Sequence, residues 1–185
     1  MKKKLEAFHA MIADIDTAMF TTRRRDGRLV SRPMANQALA AGADLWFVTY
    51  DGAPKLADLG RDAHVNLAYY KDRTREWVSV SGLAKVTTNS RKIHELYRPD
   101  WSAWFGDEGD DRDGSADDPR IVLVGVDIEM ASFMEVAKPQ PVVLYEVVKG
   151  MLTGTPPKVG KTQRVSRTEV RRASTRAATR QRRRG

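Results

Sequence analysis

Three side chains in the first third of the chain could together bind one phosphate group. Arg32 lies within a predicted strand, Thr49 ends the next strand, and Lys55 follows after a short loop. A guanidinium offers forked donors, an ammonium offers a compact positive charge, and a hydroxyl adds a further donor. No other segment combines these residue types in this way. The sequence therefore favours a site for a phosphorylated cofactor, and the alternative is a solvent-facing arginine on an edge strand.

The residues beside Arg32 bear on the same site. Arg32 and Met34 share one face of the predicted strand, because side chains alternate along a strand. Pro33 has no N–H to donate to a neighbouring strand. The sequence therefore places this segment at a sheet edge or next to a ligand.

The pattern of apolar residues predicts a mainly β protein with a few helices. Leu5, Phe8, Met11 and Ile12 have helical spacing, and Asp26-Gly27 is typical of a tight hairpin turn. The predicted strands cover residues 19–25, 28–40, 45–50, 65–70, 77–87 and 121–136, and the predicted helices cover residues 2–16, 54–61, 90–98 and 142–151. Strands in hairpin order with helices at the ends indicate an α+β fold built on a six-stranded antiparallel barrel.

The positive charge of the chain lies in its C-terminal segment. The whole chain carries +8, whereas the residues after Thr153 hold eleven Lys and Arg against one acidic residue, Glu169. We therefore expect a folded domain over residues 1–152 and a basic, disordered tail over residues 153–185. Such a tail could contact nucleic acid non-specifically by releasing counterions, or it could only solubilise the protein.

Other features exclude or weaken several kinds of site. The chain has no cysteine and no apolar run long enough to cross a membrane, and no signal peptide is expected at its start, so we expect a cytoplasmic protein without a membrane partner. His9, His64 and His94 are far apart in sequence, so no metal site is expected. The acidic residues between 106 and 118 do not have the spacing of a calcium-binding EF-hand, which favours a solvated loop.

The order of several short segments resembles that of the pyridoxamine 5′-phosphate oxidase-like FMN-binding split barrels, and is nearest to their general stress protein branch. The resemblance extends over about Leu5 to Val136. The segments that carry it are residues 28–34, 45–49, 55–56, 65–69, 78–82, 104–105 and 118–121.

This resemblance implies a homodimeric six-stranded split barrel with FMN, or alternatively FAD, bound between the subunits. Arg32 and Lys55 would contact the phosphate and ribityl chain, and Pro33 and Met34 would follow the edge of the flavin ring. The remaining flavin contacts implied by the family are Phe47, Val48 and Thr49 from the third strand, with Ser81 and Trp104 as candidates from the second subunit. The sequence departs from many relatives at Met134, where they carry tryptophan.

The function implied is that of a flavin-dependent oxidoreductase with a role in stress. The sequence contains no residue that reads as an obligatory general base, so no catalytic residue is predicted. A flavin-binding or flavin-sensing stress protein without turnover is the alternative. An anion-binding scaffold tethered to nucleic acid by its tail is a third possibility.

Overall fold

The computed structural model describes residues 2–136, 140–154 and 160–171. The elements in chain order are α1 (Lys2–Ile15), β1 (Thr17–Arg23), β2 (Leu29–Ala35), β3 (Leu45–Tyr50), α2 (Pro54–Leu59), β4 (His64–Lys71), β5 (Glu76–Thr87), α3 (Ser90–Leu96), a 3₁₀ turn (Pro99–Trp101), α4 (Ser102–Phe105), β6 (Ile121–Glu135), α5 (Gln140–Thr153) and β7 (Lys161–Ser166). The expected mainly β composition with flanking helices is confirmed.

Seven strands form one sheet in the order β2-β1-β4-β5-β6-β3, and β7 also pairs with β6. The two halves of β6 have different antiparallel partners. β3 pairs with residues 121–126 and β7 pairs with residues 130–135. The chain divides into a central unit, Asp16–Leu67 with Ser81–Glu129, and a terminal unit, Met1–Ile15 with Ala68–Val80 and Met130–Gly185.

In the central unit, β1 and β2 form the predicted hairpin. Their register runs from Thr17 opposite Ala35 to Arg23 opposite Leu29. Gly27 occupies the turn with a φ of +82°, a conformation that glycine adopts without steric cost. β2 ends the strand order, so Pro33 lies on an edge strand as predicted, where its missing N–H does no harm. The strand stops at Ala35, earlier than the predicted residue 40.

The position of β3 is fixed by a tryptophan packed against a glycine. Trp46 lies opposite Gly125 on β6, and a Cβ atom added to Gly125 would lie only 2.9 Å from the Trp46 ring. The Trp46 indole N–H also donates to the Ala40 carbonyl at 3.0 Å. This packing sets the register that carries Thr49 to the end of the strand.

In the terminal unit, α1 has the predicted apolar face. Phe8 is fully buried, and its ring centroid lies 5.8 Å from that of Phe133 on β6. The helix also contacts the C-terminal part of the chain, since Lys4 Nζ donates to the Arg164 carbonyl at 2.7 Å.

The expected disordered tail from residue 153 is wrong for part of its length. Lys161–Ser166 forms β7, which pairs with β6, and a short helical turn follows over residues 167–171. Val165 and Val170 are buried. The sequence of β7 is mostly polar, so its order comes from hydrogen bonds to β6 and two buried valines. The rest of the predicted tail, residues 155–159 and 172–185, lies outside the described residues.

Two kinds of feature are absent from the described ranges: a membrane-spanning helix and a cluster of metal ligands. None of their helices has the length and apolar character that a membrane crossing requires. The same ranges contain no group of three His, Asp or Glu side chains that could hold a metal ion.

Candidate functional site

A cavity of about 760 Å³ lies within the central unit. Its size falls in the range typical of small-molecule and cofactor sites, roughly 300–1,000 Å³. Its lining consists of Thr17, Arg32, Pro33, Met34, Ala35, Gln37, Val48, Thr49, Tyr50, Lys55, Trp101, Trp104, Phe105, Glu108 and Arg120. The lining has two distinct parts, a pair of cations on β2 and α2 and an aromatic group on the 3₁₀ turn and α4.

Arg32 is held in place by β1 and α2. Its Nη1 donates to the Thr22 hydroxyl at 2.9 Å, and that hydroxyl donates to Asp58 Oδ2 at 2.9 Å. The Arg32 guanidinium also lies 3.9 Å from Asp58 Oδ2. Its side chain is only 22% exposed. The strand and helix therefore orient this guanidinium before any ligand arrives.

Lys55 lies in the first turn of α2, directly after Pro54. Its ammonium donates to the Thr49 hydroxyl at 2.6 Å and lies 5.7 Å from the centre of the Tyr50 ring. Burial lowers the pKa of Lys55 below its usual value of 10.5, and the positive charge of Arg32 lowers it further. Two cations thus share a partly desolvated space, and an anion bound between them would relieve their repulsion.

The aromatic wall of the cavity comprises Trp101, Trp104 and Phe105. The Trp101 indole donates to Gln37 Oε1 at 3.0 Å, and Gln37 Nε2 donates to the Ala35 carbonyl at 3.1 Å. Trp101 is buried, whereas Trp104 is 88% exposed. A fixed indole and an open indole therefore border the same cavity, which suits a planar ligand with one accessible side.

The structure brings most of the predicted site residues together. The lining contains Arg32, Pro33, Met34, Val48, Thr49, Lys55 and Trp104. Trp104, a candidate for a contact from the second subunit, borders the cavity of its own chain. Two predicted residues do not line it. Phe47 is fully buried with its ring centroid 5.2 Å from that of Phe20, and Ser81 is half-buried on β5.

Several lining residues were not predicted from the sequence. They are Thr17, Ala35, Gln37, Tyr50, Trp101, Phe105, Glu108 and Arg120. Gln37 and Trp101 are far apart in sequence, so only the fold reveals that their side chains meet. Arg120 lay within the segment 118–121 that resembles the split-barrel family, and this was the one available sign of its importance.

The chain matches a known protein family and a known protein over most of its length. Residues 3–158 match the family described as "Pyridoxamine 5'-phosphate oxidase like". Protein bli-3 of Neurospora crassa is 34% identical over 173 residues, which cover 92% of this chain and 83% of that protein.

Solved structures share the fold. A general stress protein 26 from Jannaschia sp. CCS1 has 22% identity and a TM-score of 0.66, covering 90% of this chain and 99% of its own. The "general stress FMN/FAD binding protein" of Xanthomonas citri has 25% identity and a TM-score of 0.59, covering 72% of this chain and 89% of its own. The predicted split-barrel fold is confirmed.

Proposed function

This chain belongs to the pyridoxamine 5′-phosphate oxidase-like family, and from that premise we propose that it binds FMN and acts as an oxidoreductase with a stress-related role. The observation that carries the proposal is the pair of crowded cations, Arg32 and Lys55, on one side of a cavity that also has an aromatic wall. The Xanthomonas citri relative, described as FMN/FAD binding, supports a flavin as the ligand.

The residues of the cavity fit a flavin phosphate. Arg32 would supply a forked pair of donors and Lys55 a point charge, while Thr49 contributes a hydroxyl beside the ammonium. Lys55 has a lowered pKa because it is partly buried next to Arg32. A phosphate would compensate both positive charges, which is a physical reason for preferring FMN to riboflavin.

A bound flavin would supply the redox chemistry, since it can accept and donate hydride or single electrons. The residues of this chain would bind and orient it. Arg32 and Lys55 would hold the phosphate, Pro33 and Met34 would follow the ring edge, and Trp104 and Phe105 would limit access of water to the ring. We assign no proton-transfer role to any residue.

The first experiment is to purify the protein, extract any yellow chromophore and identify it as FMN or FAD by chromatography. Titration calorimetry with FMN and riboflavin then measures the contribution of the phosphate. Equal affinity for the two flavins would contradict the assigned phosphate site.

The second candidate function is flavin binding or sensing without turnover. Anaerobic titration with a reduced nicotinamide distinguishes the two functions. Bleaching of the flavin absorbance at a catalytically useful rate is expected for the oxidoreductase. Tight flavin binding without reduction by either NADH or NADPH would favour the non-catalytic function.

We further propose a cytoplasmic homodimer, as the family resemblance implies. Light scattering at micromolar concentration should give about twice the chain mass of 20.8 kDa. A clean monomer that still binds flavin would mean that the site is complete within one chain.

The basic C-terminal segment suggests a further contact, with nucleic acid. After Arg171 the chain still carries Arg172, Arg176, Arg180, Arg182, Arg183 and Arg184 and no acidic residue. Removing residues 172–185 should abolish DNA and RNA binding and leave flavin binding unchanged. Binding should also weaken steeply with added salt, because it depends on released counterions. Salt-insensitive binding would indicate a different surface.

A further inference from the structure

The Asp118–Arg120 pair lies beside the aromatic wall and is one of the most completely bonded charged groups among the described residues. Both side chains are almost entirely enclosed, with 0% of Asp118 and 8% of Arg120 exposed. Arg120 Nη2 and Nε donate to the carboxylate at 2.6 and 3.0 Å. A buried ion pair needs such additional hydrogen bonds to offset the cost of desolvation.

The remaining donors of Arg120 are used to hold the chain that follows α4. Nη1 donates to the Phe105 carbonyl at 2.9 Å, and Nη2 donates to the carbonyls of Gly106 and Arg112 at 2.9 and 3.0 Å. Glu108 Oε1 forms an ion pair with Nη1 at 2.8 Å. The guanidinium carbon also lies 5.8 Å from the centre of the Phe105 ring. One side chain thus fixes the end of α4 and two points of the following loop.

Asp118 fixes the same loop from the other side. Its carboxylate accepts the backbone N–H groups of Gly114 and Arg120, both at 2.8 Å. Gly114 has a φ of +74° and lies so close to α4 that an added Cβ would be 2.8 Å from the Ser102 Cα. The Tyr97 hydroxyl donates to the Gly114 carbonyl at 3.0 Å. The loop that was expected to be solvated is therefore packed against the start of α4 at Gly114.

The backbone of Arg120 contacts the segment that precedes Lys55, on the side of the cavity where the two cations lie. Its carbonyl accepts the Asp51 N–H at 2.8 Å, at the start of the loop that leads to Lys55. The pair therefore joins the aromatic wall to the segment that carries the phosphate-binding lysine.

We propose that Asp118 and Arg120 are positioning residues that hold Trp104 and Phe105 over the ring end of the bound flavin, and that Arg120 is not a third phosphate ligand. This inference rests on the proposed flavin-binding function. The N–H groups of Arg120 are directed at protein oxygens, so its positive charge is balanced within the protein. Arg32 and Lys55 have a surplus of positive charge by comparison.

The test uses Asp118→Asn and Arg120→Lys in the full-length protein, with Asp100→Asn as the matched control. Arg98 and Asp100 form a pair with the same spacing in sequence and an N–O distance of 3.0 Å, but both are more than half exposed. Three quantities are measured: FMN affinity, riboflavin affinity, and quenching of bound-flavin fluorescence by iodide.

We expect the two variants of the pair to make the flavin ring clearly more accessible to iodide. The ratio of riboflavin to FMN dissociation constants should stay within about twofold of wild type, as for independent sites. Asp100→Asn should change neither quantity. A general loss of structure would also disrupt the site of Arg32 and Lys55, so it would remove the preference for FMN over riboflavin in both variants. Increased iodide quenching with an unchanged ratio of dissociation constants therefore identifies a positioning role.

Two results would overturn the proposal. Folded variants with unchanged iodide quenching would mean that the pair does not position the aromatic wall. A collapse of the riboflavin-to-FMN ratio in Arg120→Lys would mean that Arg120 binds the phosphate. Should both variants fail to fold, Tyr97→Phe removes only the hydroxyl that holds Gly114, and a smaller increase in quenching is expected from it.

A measurement without flavin separates this inference from the proposed function. The Gly106 amide donates to the Ser102 carbonyl at 2.9 Å at the end of α4. Its hydrogen exchange should be about tenfold faster in Asp118→Asn than in Asp100→Asn, because local opening becomes easier. If wild-type protein binds no flavin, the proposed function fails, and unchanged exchange would show separately that the pair does not hold α4.

Discussion

The cavity is bordered by two groups of charged residues that differ in how their charges are balanced. Asp118 and Arg120 neutralise each other, and backbone carbonyls accept hydrogen bonds from the other guanidinium N–H groups. Glu108 forms a second ion pair with Arg120. Among the described residues, Arg32 forms an ion pair with Asp58 at 3.9 Å, and Arg32 and Lys55 each donate a hydrogen bond to a threonine hydroxyl. A balanced buried charge thus holds the fold together, whereas a surplus of one sign favours the binding of a ligand of the other sign.

The largest expected effect concerns the balanced pair. Asp118→Ala should lower the free energy of unfolding by about 3–5 kcal/mol, because it leaves the Arg120 charge buried without its main partner. Urea denaturation at neutral pH measures this loss. The exposed counterpart Asp100→Ala should change stability by less than about 0.5 kcal/mol. Similar losses in the two variants would remove the distinction between a buried and a surface pair.

The Asp118–Arg120 pair should also make the free energy of unfolding depend on pH at low pH. Hydrogen bonds from Arg120 lower the pKa of Asp118 from 3.8 to about 2. Because the carboxylate is more acidic in the folded state, its contribution is complete above about pH 4 and is lost as the pH falls toward 2. Asp118→Ala should lack this component of the acid transition. Parallel acid denaturation curves for wild type and variant would contradict the assignment.

The next largest effect concerns the unbalanced pair. Replacing Arg32 or Lys55 by alanine should weaken FMN binding by about 1.5–3 kcal/mol, the range for hydrogen bonds to charged groups. Riboflavin binding should change much less, since riboflavin has no phosphate for these cations to contact. Calorimetric titration of both flavins gives the comparison. Equal losses for FMN and riboflavin would mean that these residues support the cavity and do not read the phosphate.

The lowered pKa of Lys55 adds a pH dependence to this site. A phosphate beside the ammonium stabilises its charged form, so FMN binding should raise the pKa that burial and Arg32 have lowered. The affinity is therefore complete below the pKa of Lys55 in the free protein and decreases as the pH rises through that value toward 10.5. The variant Lys55→Met, which cannot titrate, should show no such decrease. A wild-type affinity that stays constant through this range would contradict the placement of Lys55 at the phosphate.

The two groups also differ in how far the sequence predicts them. Arg32, Thr49 and Lys55 were predicted because each lies on or next to a strand with a clear apolar pattern, so hairpin order places them together. The resemblance marks the segment 118–121, but nothing in the composition of the acidic loop tells that the carboxylate of Asp118 is the buried one. The decisive contacts come from Gly114 and from carbonyls at residues 105, 106 and 112, which depend on how the loop folds back.

The seventh strand, β7, was also not predicted, because its formation depends on contacts that are distant in sequence. Most of the fold follows from local periodicity, and local residues also begin α3, where the Asn89 side chain accepts the Lys92 N–H at 3.0 Å. β7, in contrast, has one buried apolar residue, Val165, among polar and charged neighbours. Its stability depends on pairing with β6, which no local pattern reveals. Truncation tests must therefore begin after Arg171 and not at Thr153, the boundary expected from charge alone.

The smallest expected effect concerns the hydroxyl of Thr49. Its oxygen accepts a hydrogen bond from Lys55 Nζ at 2.6 Å, and the residue is buried at the end of β3. Thr49→Val keeps the shape of the side chain but removes the oxygen that accepts the hydrogen bond from the Lys55 ammonium. Without a ligand, Lys55 is then less well positioned, but a bound phosphate can itself accept this N–H group. The variant should therefore weaken FMN binding, measured by titration calorimetry, by only about 0.5–1.5 kcal/mol, the net value of one hydrogen bond.

Thr21→Val is the matched control, because the Thr21 hydroxyl pairs with Ser31 on the exposed part of the β1–β2 hairpin. A loss in Thr49→Val as large as that in Lys55→Ala would mean that the hydroxyl, and not the surplus charge, decides phosphate binding.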